Sequence, residues 1–197
     1  MKKFRIIHAD PPWEYEEKRT GGSMSSAAGQ KYEELNLDII CDLDIASITD
    51  DDCVLFLWAT IPLIEYGFQV LRAWGFDYKT KYSWLKTQFG MGHWLRICTE
   101  DLLIGIKGNI KPFKLQERNH GTFKSPGHSK KPDEVREMID RAVVNISKVN
   151  GRKLEMFATK TYKDWVVIGD EIDGKDIRDA IEDIREKILI HEVVRDF

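Results

Sequence analysis

The chain has 197 residues, 42% of them hydrophobic, and a formal net charge of −3. That suffices for one domain with a substantial core, and no apolar run is long enough to cross a bilayer as a helix. Cys41, Cys53 and Cys98 stand far apart without metal-ligand spacing, which fits reduced thiols in a cytoplasmic protein.

Met1-Lys2-Lys3-Phe4 leads straight into a strand, Phe4–Ala9, so no signal or transit peptide is expected. Asp10-Pro11-Pro12-Trp13 then ends that strand, because neither proline can donate to a ladder and both fix φ near −65°. The carbonyls of Asp10 and Pro11 turn out past the strand's carboxyl end, where α/β sheets bind ligands. A carboxylate, free carbonyls and an indole in four residues make a receptor for a planar heterocycle bearing an amino group. The competing reading of the same four residues is a rigid turn with a core tryptophan.

Glu14 to Lys31 is polar and contains Gly21-Gly22, too long for an ordinary connection, and reads as a mobile lid or a loop that orders on binding, with a disordered loop without function as the competing reading. Tyr15 at its start can share a pocket with Trp13. Leu35–Ile48 contains a short helix that Asp50-Asp51-Asp52 follows, and Cys53–Trp58 is a continuous apolar run expected of a strand covered on both faces. Ile64–Trp74 has helical spacing and stops at Gly75; Phe76–Lys86 and Asp101–Ile106 read as strands, with Glu100 just ahead of the second.

Asn109–Ser129 reads as a loop. It lies within a segment, Lys107 to Lys131, that carries seven bases (Lys107, Lys111, Lys114, Arg118, Lys124, Lys130, Lys131) against one acid, Glu117. Such a segment can contact phosphates even in an acidic protein; the competing reading is a solvated loop with surplus lysine. Pro132 suits the first position of a helix whose face is Val135, Met138, Ile139, Ala142, Val143 and Ile146, with Gly151 closing it. Leu154–Phe157 and Trp165–Ile168 are strands, the latter followed by Gly169-Asp170-Glu171. The last helix, Ile177–Ile190, has a stripe of Ile177, Ile181, Ile184 and Ile188 that packs on its own domain or on a second copy. A homodimer through that stripe is expected.

Alternating strands and helices indicate one α/β domain with a largely parallel sheet. A carboxylate after a late strand, here Asp170, commonly takes the hydroxyls of a nucleoside ribose, and Lys131 can add a fixed charge to the same edge. The Gly-x-Gly-x-x-Gly loop of dinucleotide sites and the P-loop are both absent.

Asp10-Pro11-Pro12-Trp13 resembles the DPPW motif of S-adenosylmethionine-dependent adenine N6-methyltransferases, the family of the mRNA adenosine methyltransferase's catalytic subunit, with bacterial and phage members. Leu55–Thr60, Gly92-His93-Trp94-Leu95, Leu103–Gly108, His128–Glu134, Leu154–Phe157 and Trp165–Gly169 recur in the same order, so the resemblance covers roughly Phe4 to Gly174. It implies a single-domain class I (Rossmann-like) methyltransferase fold in permuted order, catalytic strand first and cofactor strands last, over residues 1–174. Residues 175–197 are left as a helical extension.

The resemblance also implies roles. Asp10 and the Pro11 carbonyl would hold the target amine, with Pro12 shaping the turn and Trp13 and Tyr15 stacking on the base. Trp58, Trp94, Glu100 and Lys131 fall at substrate-side positions. His8, Ala9, Asp10, Lys131, Phe157, Ala158, Lys160, Asp170 and Glu171 fall at cofactor-side positions. Many relatives carry an arginine after the phenylalanine of Phe157-Ala158-Thr159-Lys160; here that contact passes to Lys160 or is lost. The cofactor-binding segment that precedes the catalytic strand in longer relatives has no counterpart ahead of Met1. The expected activity is methylation of adenine N6 in nucleic acid. DNA is favoured over RNA because the chain is short and has no RNA-binding appendage. An inactive methyltransferase-fold subunit is the rival from another class.

Overall fold

The computed structural model describes residues 1–14, 34–90, 94–113, 115–127, 130–147 and 152–194. The expected lid, Tyr15, Gly92-His93, His128-Ser129 and Gly151 lie outside the described residues.

In chain order the elements are β1 (Phe4–Ala9), α1 (Leu37–Cys41), α2 (Ile45–Ile48), β2 (Thr49–Thr60), a 3₁₀ turn (Ile61–Leu63) and α3 (Ile64–Ala73). Then come β3 (Asp77–Lys86), β4 (Thr99–Lys107), β5 (His120–Phe123), α4 (Asp133–Ala142) and α5 (Val144–Ser147). β6 (Arg152–Met156), β7 (Val166–Ile168), α6 (Asp170–Asp173) and α7 (Ile177–Val193) complete the described chain. The seven strands form one sheet in the order β5-β3-β4-β2-β1-β6-β7. Every neighbouring pair is parallel except β2·β4 and β3·β4. The sheet is therefore mixed, with β4 alone reversed.

That reversal brings the start of β4 to the edge where β1, β2, β6 and β7 end, and Thr60 of β2 is paired with Glu100 of β4. Glu100 is thus the second residue of a strand rather than a residue ahead of one. β2 begins at Thr49, earlier than its apolar run, because Thr49 pairs with Phe4 of β1 across a bulge that precedes the Ile6–Val54 pair. β5 falls within the segment expected to be loop, because its four residues have half-buried and exposed side chains and no apolar alternation. Pro132 is the N-cap of α4, with extended ψ of 136°, rather than its first helical residue.

Strand alternation divides the core in two. On one face Ile7, Ala9, Leu55, Leu57, Leu154 and Met156 meet α3 and α7; on the other Ile6, Val54, Phe56, Trp58 and Ile104 meet the Val135–Met138–Ile139–Ala142 face of α4. The isoleucine stripe of α7 belongs to the first core, with Ile177, Ile181, Ile184 and Ile188 all at most 6% exposed. This corrects the expected homodimer through that stripe: its apolar surface is already spent within its own chain, chiefly beside α2.

Candidate active site

On β1 the side chains of His8 and Asp10 leave the same face of the sheet, two residues apart, and that is the face α4 covers. Asp10 follows the last residue of β1. Both of its carboxylate oxygens accept from the Lys131 ammonium, at 2.8 and 2.7 Å. Lys131 reaches Asp10 because it directly precedes Pro132, the cap of α4. Its Nζ also lies 3.5 Å from Glu100 Oε2, without hydrogen-bond geometry, while Glu100 Oε1 accepts from Lys86 Nζ. Two carboxylates and two ammonium groups from β1, β4, β3 and the approach to α4 thus meet at one end of the sheet.

Their electrostatics follow from partial burial. Burial raises the Asp10 carboxyl above its ordinary range, aided by Glu100, and Lys131 opposes the rise without cancelling it. Burial alone would lower the Lys131 ammonium, but Asp10 and Glu100 outweigh it and hold Lys131 above the ordinary lysine value. Asp10 keeps 27% of its side chain accessible, so its carboxylate remains open to a ligand.

The turn after Asp10 is tight: the Trp13 amide donates to the Pro11 carbonyl at 2.9 Å, and the Leu35 amide to the Pro12 carbonyl at 2.9 Å. One lone pair of the Pro11 oxygen is therefore used and one is left. Trp13 is 7% exposed, and its indole N–H donates to the Trp58 carbonyl at 3.2 Å. It takes the core role weighed against base stacking, because the turn directs its ring into the α3–α7 core. Trp58, expected on the substrate side, is 1% exposed. Its ring lies 5.4 Å from Lys131 Nζ, and its N–H donates to His8 Nε2 at 2.9 Å.

His8, expected on the cofactor side, has both ring nitrogens engaged within the protein. Accepting at Nε2 puts its proton on Nδ1, which donates to the Glu155 carboxylate at 2.9 Å. Glu155 is its direct cross-strand neighbour on β6. Ala9 is fully buried, with its methyl in the core. Trp94 stands at the opposite extreme, 97% exposed on the β3–β4 connection, with Phe89 and Leu95 also exposed there.

At the same edge two strands away, β6 ends at Met156 and Phe157 takes a positive φ of 59°, turning the chain out of the sheet. The Ala158 amide donates to the Ile168 carbonyl at 3.1 Å, and a Cβ on Gly169 would meet Ala158 O at 2.6 Å. Only glycine lets the ends of β6 and β7 come so close. Asp170 follows, exposed; its Oδ1 caps the Glu171 amide at 2.9 Å, and Glu171 is exposed beside it. Ala9 is in register with Met156, and Met156 with Ile168, so Asp10 and Asp170 sit two strand spacings apart, about 10 Å. A bared carboxylate beside a tight strand crossing suits the ribose of a nucleoside, while the Phe157 side chain is half-buried against the α3–α7 core. Lys160 is drawn aside to Asp133 Oδ1, at 2.7 Å, near the Tyr162 ring.

Sequence reasoning missed Lys86, Arg136 and Glu155. Arg136 pairs with Glu155 and stacks between Tyr162 and Trp165, 3.9 Å from each ring. A glutamate inside the apolar strand Leu154-Glu155-Met156 was the available signal.

A family model described as MT-A70 matches residues 4–171. The chain is 32% identical over 194 residues to the Type II methyltransferase M.MunI of a Mycoplasma species, covering 87% of this chain and 78% of that protein. It is 30% identical to the N(6)-adenosine-methyltransferase subunit METTL3 of Danio rerio and 29% identical to the catalytic subunit METTL3 of Homo sapiens. In each case 88% of this chain is covered but only 29% of the relative. With the match spanning nearly every element of the sheet, the chain belongs to the MT-A70 family of S-adenosylmethionine-dependent N6-adenine methyltransferases.

Proposed function

We propose that this chain methylates the N6 amine of adenine in DNA, with Asp10 and the Pro11 carbonyl gripping the amine. The observation that carries the site assignment is the shared edge: Asp10 and Asp170 stand two strands apart where β1, β6 and β7 all end. The strand order β7-β6-β1-β2-β4-β3 around a single reversed strand supports a permuted class I methyltransferase fold over residues 1–174, with 175–197 as an extension. The DNA reading is supported by the correspondence with 78% of a Type II methyltransferase, against 29% of the N(6)-adenosine-methyltransferases.

S-adenosylmethionine, when bound, supplies an electrophilic sulfonium methyl group. Phe157, Ala158, Asp170 and Glu171, with Lys131 and Lys160 flanking, would hold it. The N6 lone pair is delocalised into the adenine ring, so the amine is a poor nucleophile. Asp10 and the remaining lone pair of the Pro11 oxygen accept its two hydrogens and favour the pyramidal geometry of the transition state. Lys131 opposes the rise that burial imposes on Asp10 and so favours its ionised form for that task. As the nitrogen gains its methyl, a proton leaves N6 for an Asp10 oxygen, whose raised pKa suits it to take one. Rate comes from positioning and electrostatics more than from a strong base. A base in a duplex must first be extruded. The exposed Trp94, Phe89 and Leu95, and the exposed bases Lys111, Arg118, Lys124 and Lys130, are the groups available to hold the strand that loses it.

The test is nucleoside mass spectrometry after incubation with mixed DNA and RNA oligonucleotides and S-adenosylmethionine. Methylated deoxyadenosine supports the proposal, and methylated adenosine alone moves the substrate to RNA. Neither product, together with no S-adenosylmethionine binding by calorimetry, makes this chain a scaffold.

A further inference from the structure

Arg136, Glu155, His8 and Trp58 form a continuous buried line from the middle of α4 to the catalytic edge. Arg136 Nη1 pairs with Glu155 Oε2; Glu155 accepts from His8 Nδ1; His8 Nε2 accepts from Trp58 Nε1. His8, Arg136 and Glu155 are all under 9% exposed, and Trp58 is 1% exposed. The Trp58 ring then meets Lys131 Nζ at 5.4 Å, and Lys131 holds Asp10. Two charged residues and a histidine in a core are costly unless paired. Arg136 pairs with Glu155 and its Nη1 also lies 3.1 Å from His8 Nδ1, while Arg136 Nε and Nη2 have no hydrogen-bond partner among the described residues. Nothing in the methyl-transfer step as derived above uses them.

We infer that Arg136, Glu155 and His8 are positioning residues that fix the Trp58 ring as the platform for Lys131 and so keep the Lys131 ammonium on Asp10. The charge on Arg136 holds Glu155 as an acceptor. Glu155 fixes the proton of His8 on Nδ1, and that leaves Nε2 with the lone pair that Trp58 requires. Reversing the tautomer would set two N–H groups against each other and release the indole. α4 therefore grips the sheet twice within six residues, at Lys131 directly and at Arg136 through this line. The inference rests on the reading of Asp10 as the amine acceptor.

The groups facing Asp10 are Lys131, Glu100 on β4 and His8 on β1, with Lys86 on β3 behind Glu100. Of these, Lys131 and His8 lower its pKa and Glu100 raises it. Loss of the platform moves Lys131 and lets the Asp10 titration climb. The experiment is Trp58→Phe, which keeps a six-membered ring face but removes the pyrrole ring with its N–H. Glu155→Gln is the second variant; it leaves His8 and Trp58 in place, and its lost negative charge would by itself lower the Asp10 midpoint rather than raise it. Asp10 is followed by carboxyl NMR titration of the full chain. The expected result is an upward shift of the Asp10 midpoint in both variants. With it comes a fall in kcat on the order of tenfold at unchanged KM for S-adenosylmethionine. An Asp10 midpoint that stays at the wild-type position in both variants overturns the inference, whatever their thermal stability. The titration needs no turnover, so it separates failure of this line from failure of the acceptor reading, which Asp10→Ala tests independently.

Discussion

Burial lifts the Asp10 carboxyl, and Lys131 pulls it back only part of the way. The form that accepts two amine hydrogens is the carboxylate, so activity falls as the pH drops through the raised value. The acid limb of kcat/KM is therefore expected above the ordinary aspartate value of about 3.9. Lys131→Met removes the opposing charge and moves that limb further up, which a pH–rate profile reads directly. The converse holds for Lys131. Its folded value is raised, so its contribution to stability is complete below the ordinary lysine value of about 10.4 and fades as pH rises through the raised one. Asp10→Ala is expected to abolish methyl transfer while S-adenosylmethionine affinity by calorimetry stays within about tenfold, or ~1.4 kcal/mol. Retained turnover in that variant would remove Asp10 from the reaction.

Between elements, the crossing of β6 and β7 is set by one missing methyl group. Gly169→Ala brings a Cβ against the backbone of Ala158 at 2.6 and 2.7 Å, and backbone cannot swing aside as a flexible side chain can. The two strand ends must part. The expected outcome is weakened S-adenosylmethionine binding by calorimetry, with far-ultraviolet dichroism unchanged. The start of α7 depends on Asp176, whose side chain caps the Arg178 amide at 2.8 Å and also binds the Arg178 guanidinium. Those two bonds hold its carboxyl down at about 2. The cap's contribution is thus present above about 3.9 and lost as pH falls through about 2. Asp176→Ala is expected to cost about 1 kcal/mol in urea unfolding at neutral pH.

For the molecule as a whole, α7 packs its isoleucine stripe onto the sheet. Ile188 is 1% exposed in the core that β1, β2 and β6 share. Ile188→Ala is expected to cost about 2–5 kcal/mol in denaturant unfolding. Its mass by light scattering should match that of the wild type, since the stripe faces its own sheet. A lost dimer with little change in stability would return the stripe to an interface. Among the described residues no helix is long and apolar enough to cross a membrane.

The sequence by itself determined the strand-ending Asp10-Pro11-Pro12-Trp13, the amphipathic faces of α4 and α7, and the alternation of strands and helices that makes an α/β sheet. These follow from local rules: proline's missing N–H and the 3.6- and 2-residue periods of apolar residues. It also marked Asp10, Glu100, Lys131 and Asp170, which a resemblance in ordered motifs can carry without knowledge of contacts. Only the tertiary structure decided that β4 runs backwards and brings Glu100 to Asp10, that Trp13 and Trp58 are core residues, and that the isoleucine stripe faces inward. Arg136 and Glu155 emerged only there as well. The physical reason is that direction, burial and ion pairing are settled between residues as much as 147 positions apart, such as His8 and Glu155, and no local pattern encodes which distant partner will neutralise a buried charge.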